Sequence, residues 1–131
     1  MKASTAQFQR FLKSLIEMLK REKRYTWTLV FCTLLSLLTL ALPLWKILPS
    51  ASVKPFIPLH YNVLFGIDRF GAWWQIFWIP AVCLFTLVLN VSLAALLYQK
   101  EKLLSTLLIV GLLCVHLILF CSMTLIILVN L

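Results

Sequence analysis

KPFIPLHYNVLFGIDRFGAWW, residues 54–74, lies between long apolar runs, and its reading decides the fold. It holds the chain's only Asp, two of its three Gly and two of its five Pro. Pro55 and Pro58, with Pro49 just upstream, oppose helix. Phe56 to Phe65 is extended in character. Gly66 and Gly71 bracket Ile67-Asp68-Arg69-Phe70, where a turn is predicted. Phe56, Ile57, Leu59, Val63, Leu64, Phe65, Ile67 and Phe70 make the stretch too apolar for a freely solvated loop. It is expected to pack on the outer ends of helices, dip into the headgroup region, or dock on a partner. The stretch therefore reads as an ordered, non-helical cap outside a membrane.

The flanks support that reading. Of 131 residues 63% are hydrophobic and only 12% charged, where soluble domains carry roughly 25% charged residues. The mean hydropathy is +1.01, and the apolar residues fall in uninterrupted blocks. About 20 such residues cross a bilayer core ~30 Å thick. Upstream, residues 25–48 form a first span, with Tyr25 and Trp27 at one interface and Trp45 at the other. Lys46 can snorkel outward, and Pro43 predicts a kink or termination. Thr33, Ser36 and Thr39 are placed to bond their own backbone or face a neighbouring helix. A cleaved signal peptide is disfavoured, since its apolar core would be about 7–15 residues long. Downstream, residues 73–98 form a second span, with Trp73, Trp74 and Trp78 outside, Tyr98 inside and Pro80 in the first turns. Gln99-Lys100-Glu101-Lys102 is a very short turn that forces antiparallel packing. Residues 103–131 form a third span without formal charge, and no further domain is expected after it.

Ahead of the first span, residues 5–24 are basic and helical in period. Phe8, Phe11, Leu12, Leu15, Ile16 and Leu19 form an apolar stripe at i, i+3, i+4, i+7, i+8 and i+11. Gln7, Gln9, Arg10, Lys13, Ser14, Glu17 and Lys20 fill the other face, and Ser4 and Thr5 are candidate N-caps. The segment is too charged to span. An interfacial helix is expected, with Phe and Leu down and Arg10, Lys13, Lys20, Arg21, Lys23 and Arg24 toward anionic headgroups. A coiled-coil or partner-binding helix is the competing reading. Nucleic acid is not expected as a partner, because the basic end adjoins a span. Nine of the twelve Lys/Arg fall in the N-terminal segment and the 99–102 turn. The positive-inside rule then places the N-terminus in the cytoplasm and residues 49–72 and the C-terminus outside.

No catalytic constellation appears, so a non-enzyme is expected. Of the intramembrane polar groups, His116 has no carboxylate on its helical face. Cys114 lies about 200° around the helix from it, which excludes a shared metal. A neutral His116 bonded across helices is expected. Asn90 is expected to bridge helices. The absence of Asp or Glu inside the spans argues against an ion-coupled transporter working alone. In the loop, one His and one Asp without Cys do not make a metal site, and no cofactor is expected. Asp68 beside Arg69 is expected to make local turn bonds, and His60, Tyr61 and Asn62 to satisfy loop backbone groups. Only the presence of Ser50 and Ser52 suggests a Ser–His pair with His60. Cys32, Cys83, Cys114 and Cys121 lie in apolar runs and read as small hydrophobic residues.

Ile57-Pro58-Leu59-His60-Tyr61-Asn62, followed by Gly66 and Asp68, resembles a segment of bacterial membrane proteins: the immunity proteins of the sporulation-delaying toxin and their uncharacterised relatives. The likeness covers about residues 43–98. The Asn62-to-Asp68 spacing matches, the Gly is displaced by one residue, and Arg69 stands where the family has Gly. The resemblance implies a bacterial inner-membrane protein conferring immunity to a membrane-active toxin, or a membrane signalling protein. From the residues themselves the expectation is an all-α membrane protein: an N-terminal amphipathic interfacial helix, three transmembrane helices and an ordered extracytoplasmic loop. Such a protein would act through protein contacts, as a self-associating unit or an accessory subunit of a membrane complex. An oligomeric channel or small transporter is the third possibility.

Overall fold

The computed structural model describes residues 2–62 and 64–131, with side chains from residue 7 onward. The chain is mostly helical, but it is not all-α. Four helices, α1 (Lys2–Arg21), α2 (Lys23–Lys46), α3 (Trp78–Leu97) and α4 (Lys102–Val129), accompany two strands, β1 (Phe56–Asn62) and β2 (Gly66–Ala72). The strands pair antiparallel in one two-stranded sheet. Short 3-10 helices at Leu48–Ser50 and Trp73–Phe77 lead out of α2 and into α3. The stretch expected as a turn between Gly66 and Gly71 is strand β2, and the chain reverses just before Gly66.

Three stretches, Lys23–Ser50, Trp73–Leu97 and Lys102–Val129, are long and apolar enough to cross a membrane. Only 28%, 22% and 22% of their most apolar windows is buried within the chain. Val30, Leu34, Leu37, Phe85, Val88, Leu107 and Ile118 all stand outward. A surface of this kind suits lipid and not water. Pro80 sits at the third position of α3, where its missing amide hydrogen breaks no helical bond. Pro43 is accommodated inside α2, three residues from its end.

The chain forms two compact units, Met1–Thr33 with Phe85–Val115, and Leu34–Leu84 with His116–Leu131. In the first, Met18, Tyr25, Ala94, Ala95 and Ile109 form the buried core, with Phe11, Leu15 and Leu19 packed against it. The Ser105 hydroxyl of α4 donates to the Ala94 carbonyl of α3 at 3.0 Å. Tyr25 meets Tyr98 edge-on at 6.4 Å, and its hydroxyl lies 2.5 Å from that of Thr106.

Helix α1 is turned relative to its apolar stripe. Ser14 is buried and donates to the Ala95 carbonyl at 2.5 Å, Glu17 accepts from Gln99 at 3.0 Å, and Met18 is wholly buried. Phe8, Leu12 and Ile16 are exposed. The buried arc is Phe11, Ser14, Leu15, Met18 and Leu19, rotated by about 60° from the centre of the apolar stripe at 100° per residue. Hydrogen-bonding residues complete the docking face, which apolar periodicity alone does not reveal. Ser4 and Thr5 lie inside the helix rather than at its start, and their side chains fall outside the described residues. Arg10, Lys13, Lys20, Arg21, Lys23 and Arg24 are all exposed.

Glu22 breaks the path between α1 and α2 and pairs with Lys102. The bond from the Lys102 ammonium, reinforced by its charge, holds the Glu22 carboxyl below its usual value of 4.5 against a smaller desolvation cost. A carboxyl lowered on folding stabilises above its unfolded value and loses that contribution as pH falls through the lowered one. Acidification from pH 7 to 3 is thus expected to loosen the α1 end. A nitroxide label at Lys20 should gain mobility over that window in the parent chain and change less in Glu22→Gln.

Candidate functional site

The hairpin belongs to the second unit. A two-stranded hairpin is marginally stable alone in water, so its order depends on what fastens it. Ile57 is 2% exposed and packs with Ile47, Ile76, Met123 and Ile127. Leu59 and Trp73 close on the same cluster. The Asn130 side-chain amide donates to both the Pro58 carbonyl and the Ile126 carbonyl, each at 2.8 Å, tying β1 to the last turn of α4. The Trp73 amide donates to the Pro55 carbonyl at 3.1 Å and closes the base.

Register runs from Phe56↔Ala72 through Ile57↔Gly71 and Pro58↔Phe70, then shifts at His60↔Arg69 before Tyr61↔Ile67 and Asn62↔Gly66. Leu59 and Asp68 fall outside the pairing, at the irregularity that Pro58 tolerates because it has no amide hydrogen to give. That irregularity brings His60 and Asp68 together: Nδ1 lies 2.6 Å from the Asp68 carboxylate. Asp68 therefore bonds across the hairpin and not within a turn beside Arg69. At the reversal, the Asn62 side-chain oxygen Oδ1 accepts from the Leu64 backbone amide at 2.9 Å. Gly66 takes φ +74, and a Cβ there would meet nothing within 4 Å. Gly66→Ala is thus expected to cost about 1–2 kcal/mol of hairpin stability through backbone strain alone. Gly66→Asn should recover most of it, because Asn tolerates that conformation. Hydrogen exchange at Asn62 and Leu64 reads both.

Ile57 and Gly71, opposite each other, are buried, while Phe56, Tyr61, Leu64, Phe65 and Phe70 are exposed, Leu64 and Phe65 by more than 80%. Arg69 is exposed beside them. Between β1 and α4 runs a groove of about 370 Å³, lined by Pro58, His60, Tyr61, Ser122, Leu125 and Val129. A second groove of about 380 Å³ carries Arg69, Gln75 and Trp78. Comparison of the chain with protein-family models, with curated proteins and with solved structures found no match in any of the three. The site is therefore described by its own geometry, which is apolar, rigidly based and equipped with one His–Asp pair.

Away from the hairpin, His116 is wholly buried and its Nε2 lies 3.0 Å from the Ser36 hydroxyl, a bond between α4 and α2. Asn90, expected to bridge helices, donates instead to the Thr86 carbonyl one turn back on its own helix. Thr33 and Thr39 likewise bond Leu29 and Leu35. No group of three or more His, Cys, Asp or Glu side chains able to hold a metal occurs among the described residues. Ser36 and Asn130 were legible only as polar residues in or near spans. Their partners lie 80 and 72 residues away in the chain, beyond the reach of local spacing.

Proposed function

We propose that this chain is a non-catalytic integral membrane protein that works through protein contacts, as a self-associating unit or an accessory subunit of a membrane complex, with the hairpin as its recognition surface. The observation that carries the reading is a hairpin fastened at its base by Ile57 and Asn130, with Tyr61, Leu64, Phe65 and Phe70 turned outward. Rigid aromatic groups contribute large contact area at low entropic cost and are enriched at interface centres. Positive-inside asymmetry supports an inner-membrane location with the N-terminus cytoplasmic and the hairpin and C-terminus outside. Helix α1 adds a contact with anionic lipid. Its exposed Phe8, Leu12 and Ile16 suit the acyl boundary, and Arg10, Lys13 and Lys20 lie on another flank.

A photo-crosslinking residue at Phe70, itself exposed, tests the reading in native membranes. A discrete adduct is expected, either a second copy of the chain or another membrane protein. Leu64→Ser with Phe65→Ser should reduce capture about tenfold or more while leaving the helices intact, as hot-spot removal does. Crosslinks to lipid alone would remove the recognition role. The meeting of His60 and Asp68 favours a second reading, immunity to a membrane-active toxin, because both belong to the segment that resembles the immunity family. There, loss of protection in His60→Ala cells with normal protein levels is the expected result. An oligomeric channel or small transporter is the third reading; Asn90 and His116, the polar groups offered for its pore, bond within the chain.

A further inference from the structure

Among the described residues, a groove lined by Arg24 and Lys102 and another lined by Arg10 and Lys100 differ in whether an acid lines them. The groove of about 330 Å³ holding Arg24 and Lys102 also contains Glu22, which already pairs with Lys102. The groove of about 400 Å³ between α1 and the end of α3 has no carboxylate in its lining. Gln7, Arg10 and Ser14, one face of α1, line it with Gln99 and Lys100 of the turn that follows α3. Neither Arg10 nor Lys100 makes an ion pair among the described residues. Phe11, Ala95 and Leu96 give the groove an apolar wall. Its geometry is held from both sides, by the Ser14 bond to the Ala95 carbonyl and the Gln99 bond to Glu17.

We infer that this groove is a specific site for the phosphodiester headgroup of an anionic phospholipid. A guanidinium and an ammonium from two different elements line one volume, with amide side chains beside them; the neighbouring acid, Glu17, accepts from the Gln99 amide. Arginine offers a planar fork for two phosphate oxygens, and lysine adds a point charge. The level is right for a headgroup, because α3 ends at Leu97 and the charged turn follows directly. Leu96, more than half exposed, and Phe11 supply apolar surface for the glycerol and first methylenes. Lys100 is the distinguishing residue: it lies outside the basic N-terminal helix, so diffuse attraction of α1 to a charged surface does not require it. The inference rests on the lipid-contacting role given to α1 above and narrows it from a surface to a site.

The test uses the full chain in a neutral detergent, where no charged bilayer surface exists. Native mass spectrometry counts phosphatidylglycerol molecules bound as the lipid is titrated. One tightly bound lipid is expected. Arg10→Gln with Lys100→Gln should weaken it about 25-fold, on the basis of two cations each worth about a factor of five. Lys20→Gln with Arg21→Gln removes equal charge from the same helix outside the groove and should weaken it less than about twofold. Arg10→Lys with Lys100→Arg should retain binding. Equal loss in both charge-removing pairs would overturn the groove site while leaving diffuse lipid attraction standing. No loss in either, with lipid still bound, would overturn the site and leave the helix without its headgroup role. Displacement of the lipid by sn-glycerol 3-phosphate or inorganic phosphate at equal concentration would show that the groove reads a soluble phosphate, against the lipid assignment.

Discussion

Met18→Ala is expected to release helix α1 from its unit at a cost of about 2–5 kcal/mol, the range for truncating a fully buried methionine or leucine. Met18 has no exposed surface and sits at the centre of the arc that α1 buries. Its removal leaves a cavity against Ala94, Ala95 and Ile109, all nearly or wholly buried themselves. The segment cannot repack by sliding, because the Ser14 bond to Ala95 and the Glu17 bond to Gln99 fix its register. Lys20, Arg21, Lys23 and Arg24 provide the readout, since trypsin cuts them only when the helix opens. Cleavage that follows the open population should accelerate by roughly 30-fold to several thousand-fold. Ile16→Ala is the decisive control. Ile16 belongs to the apolar stripe of the sequence but is about half exposed, so its loss should change opening by no more than about 0.5 kcal/mol. Equal effects from the two substitutions would refute the rotated docking face.

The second large effect is expected at Ile57. Ile57→Ala removes the one strand residue wholly seated in the cluster of Ile47, Ile76, Met123 and Ile127. The truncation should again cost about 2–5 kcal/mol, and here that exceeds what a two-stranded hairpin retains alone. The hairpin should therefore undock and lose its order while α2, α3 and α4 persist, because their backbone bonds are internal to each helix. Amide exchange at Tyr61 and Ile67 should approach the unprotected rate, with far-ultraviolet helicity almost unchanged. Asn130→Leu is a milder companion. It removes the bond to the Pro58 carbonyl and should cost about 1–2 kcal/mol. Because Ile57 and Asn130 fasten neighbouring residues of one strand, the double variant should fall short of the summed effects. A hairpin that stayed protected in Ile57→Ala would mean that the cluster is not its anchor.

The three spans were legible because lipid imposes a severe rule: about twenty apolar residues in succession, with aromatic residues at the ends. Trp27 and Trp45 lie near the two ends of α2, and Tyr98 directly follows α3. The hairpin was not legible. Pro58, Gly66 and Gly71 read as breakers, and Gly66–Ala72 has no alternation of apolar and polar residues. Its pairing is decided by Gly66 at positive φ and by docking, and neither leaves a periodic mark. His60 and Asp68, eight residues apart, become partners only once the strands are in register. The apolar stripe of α1 was visible, but its docking face was not, because counting apolar residues omits Ser14 and Glu17.

The Asn130 amide bears on biogenesis. The carbonyl it holds, that of Pro58, belongs to a segment synthesised 72 residues earlier. While the ribosome is still making α4, the hairpin has already been produced but lacks both this bond and the side chains of Met123 and Ile127. Its apolar tip is thus presented on a loosely held hairpin until α4 has been made. Fastening of the hairpin is thereby coupled to synthesis of α4, so a chain stalled within α4 would display an unlatched hairpin open to proteases and chaperones.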